Sequence, residues 1–214
     1  MSRADDRLRE AALAMPLVAI LRGLAPERAR ATARILVEAG FRVIEVPLNG
    51  PRALEAIAEI KRSVPGQIVV GAGTVLSRDD AQAAVRAGAE ILVMPNTDAR
   101  VMAEGRALGV ALMPGVLTPS EAFNALKRGA HALKLFPAEI AQPQGLKALR
   151  SVLPKSKAAI YAVGGITPDS LRVWHDAGAD GFGAGGALYK PEYNEQDVGS
   201  RAEAFVRAWG AIKR

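Results

Sequence analysis

The chain predicts an α/β fold, a (β/α)8 TIM barrel with an N-terminal helix covering the barrel bottom, and two observations carry that expectation. A helix-like segment ending in a small residue or Arg or Leu plus Gly, just before an apolar run, recurs as Glu38-Ala39-Gly40-Phe41, Arg86-Ala87-Gly88-Ala89, Ala107-Leu108-Gly109-Val110, Lys127-Arg128-Gly129-Ala130 and Asp176-Ala177-Gly178-Ala179. Glycine at that place is the usual left-handed helix stop. The glycines are spaced by 48, 21, 20 and 49 residues, so each long interval has room for one more unit, near Pro65-Gly66 and near Pro154. That period is one β/α unit. The second observation is the number of apolar runs: about eight, each followed by a helix-like segment, which is what a closed parallel barrel needs.

Taken in order, the amphipathic opening places Leu8, Ala11, Ala12 and Met15 on one side and forms the bottom cover. Strands are expected at 17–23, 43–48, 68–75, 90–95, 111–116, 132–137, 158–165 and 180–186. Between Pro26 and Gly40 a buried stripe of Ala29, Ala33, Leu36 and Val37 opposes a wet face of Arg30, Arg34 and Glu38. Thr118-Pro119-Ser120-Glu121 reads as a capping box with proline at the first helical position, and Thr167-Pro168 repeats the cap and proline. The last helix buries Val198, Ala202, Phe205, Val206 and Trp209.

With 214 residues and 50% hydrophobic content the chain has the size of one domain, 1–214, and no linker-like tract divides it. The 28 Lys and Arg against 22 Asp and Glu give a net charge of +6, which suits a small anionic substrate or nucleic acid. Nucleic acid is the weaker fit, because the arginines are dispersed over helix faces and only 5% of residues are aromatic. A chain without cysteine has no disulfides or thiolate metal sites and fits a reducing compartment. The opening residues carry acidic groups ahead of a short apolar run broken by Pro16, unlike a signal peptide or a membrane span, so a cytoplasmic protein is expected.

Chemistry is concentrated on one residue. Lys134 stands alone in the apolar run Ala132-Leu133-Lys134-Leu135-Phe136-Pro137. Side chains alternate along a strand, so Ala132, Lys134 and Phe136 share one face while Leu133 and Leu135 share the other. An ammonium withdrawn from water has a lowered pKa, and the free amine attacks ketones. By the same alternation Glu45 shares a face with Val43 and Pro47, and Arg22 with Val18 and Ile20. The second and sixth predicted strands face each other across a barrel, so Glu45 and Lys134 project into one cavity, with Arg22 at its mouth depressing the lysine pKa further. A buried structural ion pair is the competing explanation, although such pairs are costly to desolvate.

Glycines suggest where a phosphate would sit. Gly164-Gly165 closes the seventh strand before Thr167-Pro168, and Gly183-Ala184-Gly185-Gly186 closes the eighth, where barrels often cradle phosphate with backbone amides. Tight turns alone would explain the same glycines. Gly181, Gly183 and Gly186 also match a dinucleotide-binding spacing, but no further strand follows to complete such a unit. His131 and His175 are far apart in sequence, which argues against a metal site and for solvated or capping roles. Asn49 and Thr74 lie at strand ends, where they could contact substrate or shape turns, and Asp180 reads as structural.

These residues resemble a known family. Ala19-Ile20-Leu21-Arg22-Gly23, Val43-Ile44-Glu45-Val46-Pro47-Leu48-Asn49, Gly71-Ala72-Gly73-Thr74-Val75, Val93-Met94-Pro95-Asn96, Leu133-Lys134-Leu135-Phe136-Pro137 and Ala162-Val163-Gly164-Gly165-Ile166 are together similar to the class I aldolases of 2-keto-3-deoxy-6-phosphosugar acids, over nearly the whole chain and in order. Pro47 and Asn49 look like the branch acting on the 6-phosphogalactonate acid, whereas the 6-phosphogluconate branch typically has Thr-Leu-Arg there. The resemblance implies that Lys134 forms a Schiff base, Glu45 shuttles protons, and Arg22 and Thr74 bind substrate. Gly73, Pro95 and Phe136 would shape the pyruvyl pocket, and Gly164, Gly165, Gly185 and Gly186 would surround phosphate. It also implies a homotrimer and no cofactor. Gly186 departs from the pattern, since members often carry Ser there. Two other readings of the same residues are an isomerase or epimerase of sugar phosphates, with Glu45 as base and Lys134 as electrophile, and a barrel that only binds phosphosugars or serves as a scaffold.

Overall fold

Every helix stop read from the sequence is built as expected: Gly40, Gly88, Gly109, Gly129 and Gly178 all have positive φ, from 73° to 116°. In the computed structural model, which describes residues 3–212, these stops separate a run of parallel strands from the helices that surround them. Helix α1 (Arg3–Ala14) leads into β1 (Leu17–Ile20), α2 (Pro26–Ala39), β2 (Val43–Pro47), α3 (Ala53–Ser63), β3 (Val69–Gly73), α4 (Arg78–Arg86), β4 (Ile91–Val93), α5 (Ala99–Ala107) and β5 (Ala111–Met113). The second half comprises β6 (Gly115–Val116), α6 (Pro119–Lys127), β7 (Leu133–Leu135), α7 (Ala138–Val152), β8 (Ile160–Val163), a 3-10 turn (Pro168–Ser170), α8 (Leu171–Asp176), β9 (Gly181–Ala184) and α9 (Glu195–Ile212).

The strands hydrogen-bond in the order β5-β4-β3-β2-β1-β9-β8-β7-β6. One expectation is corrected here. The fifth predicted strand, 111–116, is two pieces, β5 and β6, because Pro114 between them has no N–H to give to a ladder. The two pieces are one continuous stretch of chain, so the sheet still closes: the Lys134 N–H donates to Pro114 O at 2.9 Å and the Phe136 N–H to Val116 O at 3.1 Å. Other strands are shorter than predicted, mainly at their carboxyl ends, where the apolar runs continue into the loops that form the site. The additional units expected near Pro65-Gly66 and Pro154 are α3 and α7, which end just before them.

Alternation sorts the core into two layers. Outward residues such as Leu17, Ala19, Ile44, Val46, Leu133 and Leu135 pack against the helices, among them Ala29, Ala33 and Leu36 of α2. Inward residues, including Val18, Val43, Val69, Ile91, Ala111, Met113, Ala132 and Tyr161, fill the barrel, and Leu8 and Ala11 of α1 join them from below. Helix α1 is therefore the bottom cover. In α9, Val198, Ala202, Phe205 and Trp209 are buried as expected while Val206 is only partly so, and in α2 Val37 is likewise half-buried. The capping box before α6 forms, with Thr118 Oγ1 accepting from the Glu121 N–H and Glu121 Oε2 accepting from the Thr118 N–H. At Thr167-Pro168 the stop opens a 3-10 turn rather than an α-helix, its Thr167 N–H bonded to Ser170 Oγ at 3.0 Å.

Candidate active site

Glu45 pairs in register with Ile20 on one side and Gly71 on the other, and Lys134 pairs with Gly115 and Tyr161. Those registers put both charged side chains on the inward face at the carboxyl half of the barrel, above the apolar filling. Glu45 is 1% exposed and Lys134 6%. They border a cavity of about 730 Å³ that opens among the loops after β1, β2, β8 and β9. Active groups of such barrels sit at this end.

The electrostatics follow from burial. Withdrawal from water pushes the Glu45 carboxyl up to about 7, against the opposing pull of Lys134 and Arg22. Burial likewise lowers the Lys134 amine; Glu45 resists this and Arg22 adds to it. Carboxylate and amine are thus brought toward each other in proton affinity. Glu45 Oε2 has no hydrogen-bond partner among the described residues. The Lys134 Nζ lies 4.5 Å from the centroid of the Phe136 ring. A carboxylate held buried with an unfilled acceptor, beside an amine of lowered basicity, can exchange protons with a molecule placed between them.

Strand β3 is shaped to admit this carboxylate. A Cβ on Gly73 would fall 1.5 Å from Glu45 Oε2, and one on Gly71 would meet Ile91 Cγ2 at 2.5 Å and Glu45 Cβ at 3.5 Å. Gly73→Ala is therefore expected to displace the Glu45 carboxylate, lowering stability by about 1–3 kcal/mol. Turnover should fall at least tenfold with it, by roughly the cost of a misplaced catalytic group. Thermal unfolding and steady-state rates check both effects, and a variant as active as wild type would contradict the packing argument.

Around the mouth, Arg22 is exposed and its Nη1 donates to Asn49 Oδ1 at 2.8 Å. Thr74 follows β3 with φ +54°, a strained conformation for a β-branched residue, and lines the cavity. Phe136, Gly164, Gly165, Gly185 and Gly186 line it as well. Gly164 and Gly165 have φ of 117° and 64°, which disfavours any side chain there, whereas Gly185 and Gly186 have open space where a Cβ would go. Gly73 sits behind Glu45 rather than on the wall. Pro95 is not among the residues lining the cavity: it follows β4 with its carbonyl against β6, where a Cβ at Gly115 would lie 2.1 Å from its carbonyl oxygen.

Residues that sequence reasoning did not single out also reach the wall, among them Lys190, Tyr189 and Glu139. Nothing in a strand pattern marks a lysine in Leu188-Tyr189-Lys190-Pro191 or a glutamate in the first turn of α7, since such charges are common on loops and helix starts. The residues set aside as bland are indeed elsewhere. His131 Nδ1 accepts from the Leu112 N–H at 3.0 Å at the bottom of the barrel, and His175 stacks edge-on against Trp209. Asp180 accepts from the Ile160 N–H at 2.8 Å and pairs with Arg150.

Comparison with known proteins shows the family. The family model described as "Aldolase: KDPG and KHG aldolase" matches residues 5–200. The chain is 41% identical over 195 residues to the 2-dehydro-3-deoxy-6-phosphogalactonate aldolase of Escherichia coli (strain K12), covering 91% of this chain and 95% of that one. It is 39% identical over 207 residues to the probable 2-dehydro-3-deoxy-6-phosphogalactonate aldolase of Rhizobium meliloti (strain 1021), covering 97% of each. A solved structure titled "Native KDPGal structure" superposes with a TM-score of 0.90 at 40% identity, covering 93% of this chain and 96% of its own. A barrel with a buried carboxylate and amine at its carboxyl end, matched along nearly its full length, belongs to the KDPG and KHG aldolase family.

Proposed function

We propose that this aldolase cleaves 2-dehydro-3-deoxy-6-phospho-D-galactonate to pyruvate and D-glyceraldehyde 3-phosphate through a Schiff base on Lys134. The observation that carries the mechanism is the shared burial of Lys134 and Glu45 at the carboxyl end of the barrel, with burial lowering the amine and raising the carboxyl. Neutral Lys134 Nζ adds to the C2 ketone, and the carbinolamine loses water as Glu45 supplies a proton. The resulting iminium is an electron sink. Glu45, now a carboxylate, takes the C4 hydroxyl proton, the C3–C4 bond breaks, its electron pair passes to the iminium nitrogen, and glyceraldehyde 3-phosphate leaves. The enamine is protonated at C3, and water hydrolyses the new iminium to pyruvate and the free amine.

Within this scheme Arg22, held by Asn49, receives the substrate carboxylate end or a hydroxyl at the mouth, and Thr74 hydrogen-bonds beside it. Phe136 packs over the pyruvyl group, and Gly73 leaves room for Glu45. Gly164, Gly165, Gly185 and Gly186 mark the far end, where the phosphate would lie. The galactonate preference rests on Pro47 and Asn49 and on the similarity to the two relatives named above. Assaying pyruvate release from the two C4-epimeric 6-phospho acids tests it, with the higher kcat/KM expected for the galactonate epimer. Higher efficiency on the gluconate epimer would reverse the assignment.

A cytoplasmic location fits the cysteine-free composition, and no helix among the described residues is long and apolar enough to cross a membrane. The resemblance supports a homotrimer as the working assembly.

A further inference from the structure

We propose that Lys190 is a specificity-determining residue whose ammonium pairs with the substrate phosphate beside Gly185 and Gly186, so that the enzyme prefers the 6-phospho acid to the same acid without phosphate. The proposal rests on the aldolase reading above and deepens it at the phosphate end. With Lys134 committed to the ketone, the other cations on the cavity wall are Arg22, engaged with Asn49 at the mouth, and Lys190. Lys190 is exposed and pairs with no carboxylate among the described residues; its Nζ rests 5.6 Å from the centroid of the Tyr193 ring.

The loop after β9 brings this lysine to the phosphate end and holds it there. The Tyr189 N–H donates to Gly185 O at 3.0 Å, closing one tight turn, and Gly185, Gly186 and Lys190 all line the cavity. Backbone on both sides of Lys190 is clamped. Arg28 of α2 donates to Pro191 O and Tyr193 O, and Arg201 of α9 donates to Ala187 O at 3.1 Å while its guanidinium lies 4.1 Å from the Tyr193 ring centroid. An exposed side chain on a fixed backbone turns to an anion at little ordering cost. Room for the ammonium is present, because no atom lies within 4 Å of a Cβ built on Gly185 or Gly186. Gly186 brings no hydroxyl to the phosphate, and a charged donor beside it compensates. At the opposite glycine pair a Cβ on Gly164 would be 2.8 Å from Glu139 Oε2, so the counter-charge for a dianion has to come from the Gly185-Gly186 side. A lysine over a tyrosine ring also has an ordinary use, a weak cation–π contact. That use makes no distinction between a phosphorylated and an unphosphorylated substrate, and the proposed role does.

The test uses the full chain as wild type, Lys190→Ala, Lys190→Arg and Lys157→Ala. Lys157 is exposed ahead of β8, at the other end of the barrel, so its loss removes one positive charge away from the site. The quantity read is the ratio of kcat/KM for the 6-phospho acid to that for the same acid without phosphate. Lys190→Ala is expected to lower this ratio roughly tenfold, with the loss shrinking as salt is added, whereas Lys190→Arg keeps most of it and Lys157→Ala leaves it unchanged. Inorganic phosphate, titrated calorimetrically, should bind Lys190→Ala about tenfold more weakly than wild type. A ratio or a phosphate affinity of Lys190→Ala within about twofold of wild type, or an equal fall in Lys157→Ala, would overturn the role of Lys190. If the wild type releases pyruvate from neither substrate, the aldolase reading itself fails, and the phosphate titration still decides what Lys190 does.

Discussion

Lys134→Ala is expected to abolish pyruvate release, lowering kcat by at least roughly three orders of magnitude, because without this amine the buried iminium that serves as electron sink does not form. The loss should be chemical and not structural. Lys134 is a single inward residue on β7 whose neighbours in the outer layer, Leu133 and Leu135, carry the packing against the helices. Burial already disfavours its charge, so removing the amine also removes that desolvation cost. Lys134→Met, which retains volume, serves as the companion variant. Both should keep the wild-type circular dichroism spectrum and a cooperative thermal transition, and residual activity above about a tenth of wild type in either would contradict the assignment.

Glu45→Gln is expected to slow turnover by roughly two to four orders of magnitude, since an amide cannot take the C4 hydroxyl proton. A rate within threefold of wild type would refute the shuttle. The pH behaviour gives a second measure. Glu45 must give a proton to the carbinolamine and then take one from the C4 hydroxyl, so with its carboxyl near 7 the wild-type rate should pass through a maximum about neutrality, while the lowered Lys134 amine is freed as pH rises. In Glu45→Gln only the lysine limb should remain. Stability moves the other way. The folded state holds a proton on Glu45 that the unfolded chain releases near its ordinary value of 4.5, so this group's contribution is fully present below 4.5 and is lost as pH rises through about 7. Above neutrality Glu45→Gln should therefore be more stable than wild type, by an amount on the order of 3 kcal/mol at most. The difference should vanish toward pH 4.5. Denaturant titrations across that range check the sign.

Much of this site was legible in the sequence because strand alternation is a strong constraint. A lysine flanked by Leu133 and Leu135 on a strand whose outer face must bury leucines has to face the barrel interior, and the same reasoning places Glu45 between Ile44 and Val46. The five glycine stops gave the repeat of one β/α unit, since each ends a helix in a conformation that favours glycine, and the apolar runs gave the number. What escaped reading lies where no periodicity operates. The break at Pro114 was announced by the proline itself but hidden by the apolar residues on both sides. Lys190 and Glu139 reach the cavity only because the loop after β9 and the first turn of α7 converge on it, a long-range fact that local pattern does not carry. Pro95 illustrates the reverse: it stands at a strand end, as site residues do, yet packs against Gly115 instead.

The central claim is that the Lys134 nitrogen is uncharged often enough, within the barrel, to bond a carbonyl carbon. Incubating the protein with pyruvate and borohydride and locating the reduced adduct by peptide mass spectrometry tests this directly. One pyruvate-derived group on Lys134, lost in Lys134→Met, is the predicted result. No adduct, or an adduct confined to another lysine, would contradict it.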